Sequence, residues 1–157
     1  MSQEIILALD AMGGDLAPDM VLKGANIARV RHPDLRFILF GDESKITPLL
    51  RRFKKLALVC TVRHTDETVK SDDKLKVVLR QRRKSSMSLA VDAVGKGEAQ
   101  GVVSAGNTGA LMAFAKIVLK TLPGIDRPAM SSIFPTQRGE SVMLDLGANI
   151  DCNSAKD

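Results

Sequence analysis

The chain has 157 residues, which is long enough for one compact domain with a buried core. Hydrophobic residues make up 45% of it and charged residues 26%, which is typical of globular proteins. It contains no Trp and no Tyr, which argues against single-stranded nucleic-acid binding, because that activity relies on aromatic stacking. The net charge of +5 does not indicate nucleic acid either, because no recognition motif accompanies it. The sequence has no signal-peptide pattern and no apolar run of membrane-spanning length, so a cytoplasmic protein is predicted.

Short apolar runs alternate with helical patterns along the chain. The runs lack polar alternation, which favours strands that are buried on both faces of a parallel sheet. The predicted strands are Ile5–Leu9, Phe37–Phe40, Leu56–Val62, Gly101–Ser104, Ala129–Phe134 and Ser141–Leu146. Their alternation with helices predicts an open, mostly parallel, doubly wound α/β sheet with helices on both faces.

Helices are predicted from apolar residues at helical spacing between the strands. The predicted starts are Pro18, a residue near Glu43 or Pro48, Asp72 or Asp73, Ser85 or Ser86, and Asn107. Two starts remain open for the second helix. Pro48 fits either the first position after a Thr47 cap or an interruption of a helix that begins near Glu43.

Four turns that combine Gly with Asp or Asn follow predicted strands: Asp10–Asp15, Gly41–Glu43, Ser104–Gly109 and Asp145–Asn149. Ligands of open α/β sheets bind outside the carboxyl ends of the strands. For Gly41–Glu43 we favour turn geometry alone. For Asp10–Asp15 and Ser104–Gly109 together we predict a site, because the second turn precedes a helix N-terminus, whose N–H groups and dipole attract anions.

The sequence lacks the motifs of several common enzyme classes. It has no phosphate loop, no Gly-x-Gly-x-x-Gly and no Gly-x-Ser-x-Gly. Cys60 and Cys152 have no metal-type or redox-type spacing, and His32 and His64 are interpreted as a helix end and a strand end. The sequence thus predicts an anion seat without an evident protein nucleophile. This suits a reaction in which the anion is the nucleophile, such as inorganic phosphate attacking a thioester.

Five motifs carry a resemblance to one family. They are Asp10-Ala11-Met12-Gly13-Gly14-Asp15, Arg83-x-Ser85-Ser86-Met87, Ser104-Ala105-Gly106-Asn107-Thr108-Gly109-Ala110, Gly124-Ile125-x-Arg127-Pro128-Ala129 and Leu144-Asp145-Leu146-Gly147-Ala148-Asn149. In their order and spacing the chain resembles the bacterial acyl-(acyl-carrier-protein):phosphate acyltransferases, the PlsX family. The resemblance implies transfer of a fatty acyl group from acyl carrier protein to inorganic phosphate, which gives acyl phosphate for phospholipid synthesis. It also implies a three-layer fold like that of the isocitrate and isopropylmalate dehydrogenases, without a metal or other cofactor.

The resemblance covers only about the N-terminal half of a family member. Residues 1–157 are therefore expected to form the N-terminal part of a single α/β acyltransferase domain whose C-terminal half is absent, and to have little activity alone. For the full-length protein the resemblance implies a homodimer. It also implies peripheral association with the inner face of the membrane through the missing half.

The resemblance also implies roles for particular residues. The expected catalytic residues are Asn107, Thr108 and Ser104. Asn107, Thr108 and the amides near Gly106 and Gly109 are expected to hold phosphate or the thioester oxygen, and Ser104 is expected to line the same pocket. Phosphate or substrate is expected to contact Asp10, Gly13, Gly14, Asp15, Gly106, Gly109, Asp145 and Asn149. Acyl carrier protein is strongly acidic and is expected to dock on Arg80, Arg82, Arg83 and Lys84.

Other interpretations stay open at this point. The basic residues also suit a solvated helix end, and Asn107 also suits a simple helix cap. The chain is alternatively a phosphotransacetylase-like enzyme of the same fold. A third possibility is a truncated, non-catalytic module that binds acyl carrier protein.

Overall fold

The computed structural model describes residues 4–70, 72–126 and 128–144, and the chain divides into two compact units, Met1–Leu119 and Lys120–Asp157. The strands of the first unit are β1 (Ile5–Asp10), β2 (Leu35–Gly41), β3 (Cys60–His64) and β4 (Gly101–Val103). Its helices are α1 (Asp19–Arg31), α2 (Glu43–Leu50), α3 (Lys54–Ala57), α4 (Leu75–Gln81), α5 (Ser86–Gly95) and α6 (Thr108–Leu119). None of the helices described is both long and apolar enough to cross a membrane.

The four strands of the first unit form one parallel sheet in the order β3-β2-β1-β4. The central strands β1 and β2 are paired in register from Ile5 opposite Leu35 to Asp10 opposite Phe40. Because all four strands run in the same direction, their carboxyl ends meet at one edge. The predicted α/β class and the parallel sheet are confirmed.

Helices cover both faces of this sheet. Leu9 and Leu39 belong to a core cluster with side chains of α1, α2 and α3. Their neighbours Ala8 and Ile38 point to the opposite face and pack against α5. Successive strand residues point to opposite faces, so both faces need apolar side chains. The uninterrupted apolar runs in the sequence therefore have a structural reason.

Two boundaries in the first half of the chain differ from the prediction or decide between its alternatives. The predicted strand Leu56–Val62 is wrong at its start, because β3 begins at Cys60 and Leu56 lies in α3. Leu56 is fully buried there, and the Val59 N–H donates to its carbonyl. In the second helix the earlier start is the observed one, because α2 begins at Glu43 and contains Pro48.

The structure confirms the predicted start of one later helix and contradicts that of another. Ser85 caps α5, since its Oγ accepts the N–H of Ser88 at 3.3 Å, which confirms the first of the two predicted residues. The predicted start of α4 at Asp72 or Asp73 is wrong, because the helix begins at Leu75. Its capping position is occupied by Lys74, and the Asp73 carboxylate instead accepts the N–H of Lys70 at 3.0 Å.

The second unit contains a two-stranded antiparallel sheet of β5 (Ser131–Thr136) and β6 (Gly139–Leu144). Both predicted strands are therefore present with shifted ends. They pair with each other through a tight turn between Thr136 and Gly139.

Candidate active site at the carboxyl edge of the sheet

The carboxylate of Asp10, at the end of β1, lies at the centre of a buried hydrogen-bonded cluster. Asp10 is only 2% exposed. Its Oδ1 accepts the hydroxyl of Ser86 at 2.5 Å, and its Oδ2 accepts the hydroxyl of Ser104 at 2.7 Å. The N–H of Met12 donates to Oδ1 over a longer 3.3 Å. Asp10 thus joins α5, the loop after β4 and its own loop.

Two glycine loops meet beside this cluster. A Cβ on Gly13 would lie 2.5 Å from the Asp10 Oδ2 atom and 2.7 Å from the Ser104 Oγ atom. A Cβ on Gly106 would lie 3.3 Å from the Gly13 Cα atom. The next residue, Gly14, has φ of +97°, which L side chains rarely adopt. Glycine is therefore required here by close approach at Gly13 and by backbone conformation at Gly14.

The Ser104–Gly106 turn is stabilised by a hydrogen bond between its own residues. The Ser104 Oγ atom accepts the Gly106 N–H at 3.1 Å while its own proton is directed to Asp10. The predicted contribution of the Gly106 amide to anion binding is not available in this arrangement, because that N–H points at Ser104. Gly106 still lines the adjacent cleft.

The N-terminus of α6 follows directly. The Asn107 side chain caps it, since Oδ1 accepts the Ala110 N–H at 3.0 Å and the Asn107 carbonyl accepts the Leu111 N–H. The Thr108 and Gly109 amides have no acceptor among the described residues, and both residues are exposed. Two N–H groups of exposed residues at the positive end of a helix form a suitable seat for an anion.

A cleft of about 610 Å³ opens beside the two glycine loops. Met12, Gly14 and Asp15 line it from the loop after β1, and Ala105 and Gly106 line it from the loop after β4. The opposite wall comes from the segment after β3 and includes Thr68, Val69, Lys70 and Asp72. Within the described chain, Lys70 is the one cationic side chain among the lining residues.

The basic residues predicted for docking lie at the end of α4 and in the turn that leads to α5. Arg80, Arg83 and Lys84 are exposed, and Arg82 is half-buried. The turn is fixed to the segment after β3, because the Thr65 hydroxyl donates to the Lys84 carbonyl at 2.6 Å. The basic segment therefore adjoins the same edge of the sheet as Ser86.

The carboxyl ends of β2 and β3 carry a second group of polar residues, which is more exposed than the Asp10 cluster. Asp42 caps α2, where the Ser44 hydroxyl and the Lys45 ammonium lower the pKa of its carboxyl. His64 Nδ1 accepts the Glu43 N–H at 3.2 Å, and its Nε2 faces Asp66 at 3.3 Å. Asp42, His64 and Asp66 are close enough together to hold a metal ion. With Nδ1 accepting the hydrogen bond from the Glu43 N–H and the Nε2–H facing Asp66, however, the neutral imidazole has no lone pair left for a cation.

The described cleft offers no activated side-chain nucleophile. The half-buried Cys60 lies in β3, and burial raises the pKa of its thiol to about 12, so it stays protonated at neutral pH. The hydroxyls of Ser86 and Ser104 beside the cleft donate to Asp10, and no histidine is bonded to either of them among the described hydrogen bonds.

The structure brings five of the predicted site residues together and adds others. Asp10, Gly13, Gly14, Ser104 and Gly106 are in contact or within hydrogen-bonding distance, while Asp145 and Asn149 lie outside the described residues. Sequence reasoning missed the role of Ser86 toward Asp10. It also missed the wall after β3, because a polar connection gives no signal of lining a cleft.

These features define the class of open α/β proteins that bind ligands at the carboxyl edge of a parallel sheet. A sequence model of the family described as "Fatty acid synthesis protein" matches residues 5–156, and the chain belongs to this family. It is 63% identical over 154 residues to a protein named "Phosphate acyltransferase" from Rhodospirillum centenum, covering 98% of this chain and 43% of the relative.

Two further relatives carry the same name. The chain is 60% identical to a phosphate acyltransferase of Paramagnetospirillum magneticum and 58% identical to one of Rhodospirillum rubrum. Each of these two alignments covers 98% of this chain and 44% of the relative. The chain therefore spans less than half the length of these relatives.

Proposed function

We propose that this chain is the N-terminal part of a phosphate acyltransferase that transfers a fatty acyl group from acyl carrier protein to inorganic phosphate. The observation that carries the proposal is the exposed N-terminus of α6, which adjoins an open cleft without an activated side-chain nucleophile. The family and the names of the relatives support the substrate class. We propose that acyl carrier protein and phosphate are the partners, without nucleic acid.

In the proposed reaction a phosphate oxygen attacks the thioester carbonyl carbon. The carbonyl oxygen becomes an oxyanion, and its collapse breaks the carbon–sulfur bond. The products are acyl phosphate and the thiolate of the carrier, which takes up a proton from solvent. The protein contributes orientation of the two reactants and N–H donors for negative charge.

The site residues have these proposed roles. Thr108 and Gly109 present N–H groups to phosphate or to the oxyanion, and Asn107 fixes that helix end and completes the seat. Ser104 and Asp10 hold the turn in place. Gly14, Asp15 and Gly106 line the cleft beside Gly13. Asp145 and Asn149 are proposed to contact phosphate or substrate.

Docking of the carrier is proposed at the turn before α5, where acidic carrier side chains would face the exposed Arg80, Arg83 and Lys84 beside the half-buried Arg82. We further propose that the chain with its remaining half is a cytoplasmic homodimer that associates peripherally with the membrane. Titration of carrier binding with salt tests the docking surface, since such contacts weaken as ionic strength rises.

The function is tested by trapping acyl phosphate with hydroxylamine. The assay compares this chain with a chimera in which it replaces the 154 aligned residues of the Rhodospirillum centenum relative. We expect phosphate-dependent hydroxamate from the chimera and little from the chain alone. A folded chimera without this activity, beside an active relative, would contradict the proposal.

The basic segment favours one alternative, a module that binds acyl carrier protein without turnover. Salt-sensitive carrier binding combined with no hydroxamate from the chimera would support that alternative. Phosphate-dependent transfer from short acyl thioesters, but not from acyl carrier protein, would instead indicate a phosphotransacetylase-like enzyme.

A further inference from the structure

A continuous chain of hydrogen bonds runs from α5 to the turn before α6. Ser86 donates to one oxygen of Asp10, Ser104 donates to the other, and the Gly106 N–H donates to Ser104. The first two contacts, at 2.5 Å and 2.7 Å, are short. Ser86, where these bonds begin, is not among the residues that line the cleft.

The directions of the protons determine what each member does. A serine hydroxyl has one proton and accepts through its lone pairs. Because the Ser104 proton is directed to Asp10, the Ser104 oxygen is left to accept the Gly106 N–H. Asp10 can keep Ser104 in this state only while its carboxylate holds its present rotation.

Ser86 is the group that fixes this rotation. It is 1% exposed, and its own N–H donates to the Glu67 carbonyl at 2.9 Å, which anchors its backbone. The other donor to the same oxygen, the Met12 N–H, is more distant at 3.3 Å. The adjacent Ser85 serves as the helix cap, so the two serines have separate tasks.

We propose that Ser86 is a positioning residue, which acts through Asp10 and Ser104 to hold the Gly106 turn and the N-terminus of α6 in the anion-binding arrangement. The inference rests on the proposed function in taking phosphate as the anion. It adds a residue that contacts neither phosphate nor carrier. Its effect on binding is transmitted through buried hydrogen bonds, as for outer-shell residues of other preorganised sites.

The test uses NMR of the 157-residue chain and two readouts, hydrogen exchange of the Gly106 amide and titration of the Thr108 and Gly109 amides with inorganic phosphate. In Ser86→Ala we expect Gly106 to exchange roughly 2- to 10-fold faster, as loss of one hydrogen bond predicts. We expect phosphate affinity to fall about 10-fold or more, as when an outer-shell partner of a metal site is removed.

Two variants serve as controls. Ser88→Ala changes a buried serine of the same helix that is not bonded to Asp10, and it should leave both readouts unchanged. Ser86→Thr keeps the hydroxyl and should keep most of the Gly106 protection. If Ser86→Ala does not fold, Ser104→Ala tests the same chain of bonds from its other end and should produce both effects.

The outcomes separate this inference from the proposed function. Unchanged Gly106 exchange, or faster exchange with unchanged phosphate binding, in folded Ser86→Ala would overturn the positioning role, even if the chimera is active. Phosphate binding that depends on Ser86 in a protein without acyl transfer would support the positioning role and contradict the proposed function.

Discussion

The turns after β1 and β2 are neighbours in the sheet and combine the same residue types, yet their aspartates serve different purposes. Asp10 is 2% exposed and is bonded to Ser86 and Ser104, which are 76 and 94 residues away in sequence. Asp42 is bonded to Ser44, two residues away, and faces Lys45, three residues away. One aspartate organises the tertiary structure, and the other caps its own helix.

The comparison shows that the distance to the partners, rather than the motif, distinguishes the two roles. A cap forms wherever its helix forms, because all of its partners lie within one turn. A buried carboxylate with distant hydroxyl donors exists only in the complete fold, and leaving any of those groups unpaired is costly. We therefore expect substitutions at the first turn to affect stability and activity together, and substitutions at the second to affect neither strongly.

The largest expected effect is that of Asp10→Ala. It removes the acceptor of two hydroxyls inside the protein, so the free energy of unfolding should fall by about 2–5 kcal/mol. Acyl transfer by the folded chimera should fall by about 10²-fold or more, because the seat is displaced. Chemical denaturation and the hydroxylamine assay measure the two effects.

The matched control is Asp42→Ala, which removes the aspartate that follows the neighbouring strand β2. It should destabilise the protein clearly less than Asp10→Ala and leave acyl transfer at the level of the unmodified chimera. Equal losses from the two substitutions would show that the two turns are not functionally distinct.

A smaller effect is expected from Gly13→Ala. The added methyl group would lie within 2.7 Å of both the Asp10 Oδ2 and Ser104 Oγ atoms, so the two loops must separate. Overpacking of this kind costs about 1–3 kcal/mol. Phosphate affinity should fall as well, which titration with inorganic phosphate would measure.

Gly24→Ala provides the control for this substitution. Gly24 lies within α1, and a Cβ there would meet nothing within 4 Å. Alanine is the better helix former by up to about 1 kcal/mol, so the control should be neutral or stabilising. A Gly13→Ala protein as stable as the Gly24→Ala protein, with unchanged phosphate binding, would contradict the close packing of the two loops.

The parallel sheet could be predicted because its strands are apolar on both faces, and Phe37–Phe40 shows this pattern without interruption. The same rule failed at Leu56. A short apolar run does not distinguish a buried strand from a buried turn of helix, and Leu56 is buried in the core from α3. An apolar run therefore indicates that a segment is buried, whereas its backbone conformation depends on the surrounding contacts.

The candidate site was predictable to the extent that it follows from topology. Parallel strands bring their carboxyl ends together, which predicts that Asp10 and Ser104 lie at one edge of the sheet. The bond from Ser86 to Asp10 depends on how α5 packs on the sheet, and no local pattern contains that information. The pair Ser85-Ser86 indicated a cap, which accounts for one serine and leaves the other unexplained.

The smallest expected effect is the pH dependence of the stability that the Asp42 carboxylate contributes. The Ser44 hydroxyl, followed by Lys45, lowers the pKa of this carboxyl below its ordinary value. Because the folded-state pKa is lowered, the stabilisation is present above the unfolded-state pKa, about 3.9, and is lost as pH falls through the folded-state value. The affected window therefore lies below about pH 4.

Carboxyl NMR titration of the wild-type chain and of Ser44→Ala would measure this effect. Ser44→Ala should raise the pKa of Asp42 toward its ordinary value, only in part, because the Ser44 N–H and Lys45 remain. Ser86→Ala should leave the Asp42 titration unchanged. If the pKa of Asp42 responded to Ser86 but not to Ser44, the partners of Asp42 would not be the residues next to it in sequence. That result would contradict the contrast drawn between the two turns.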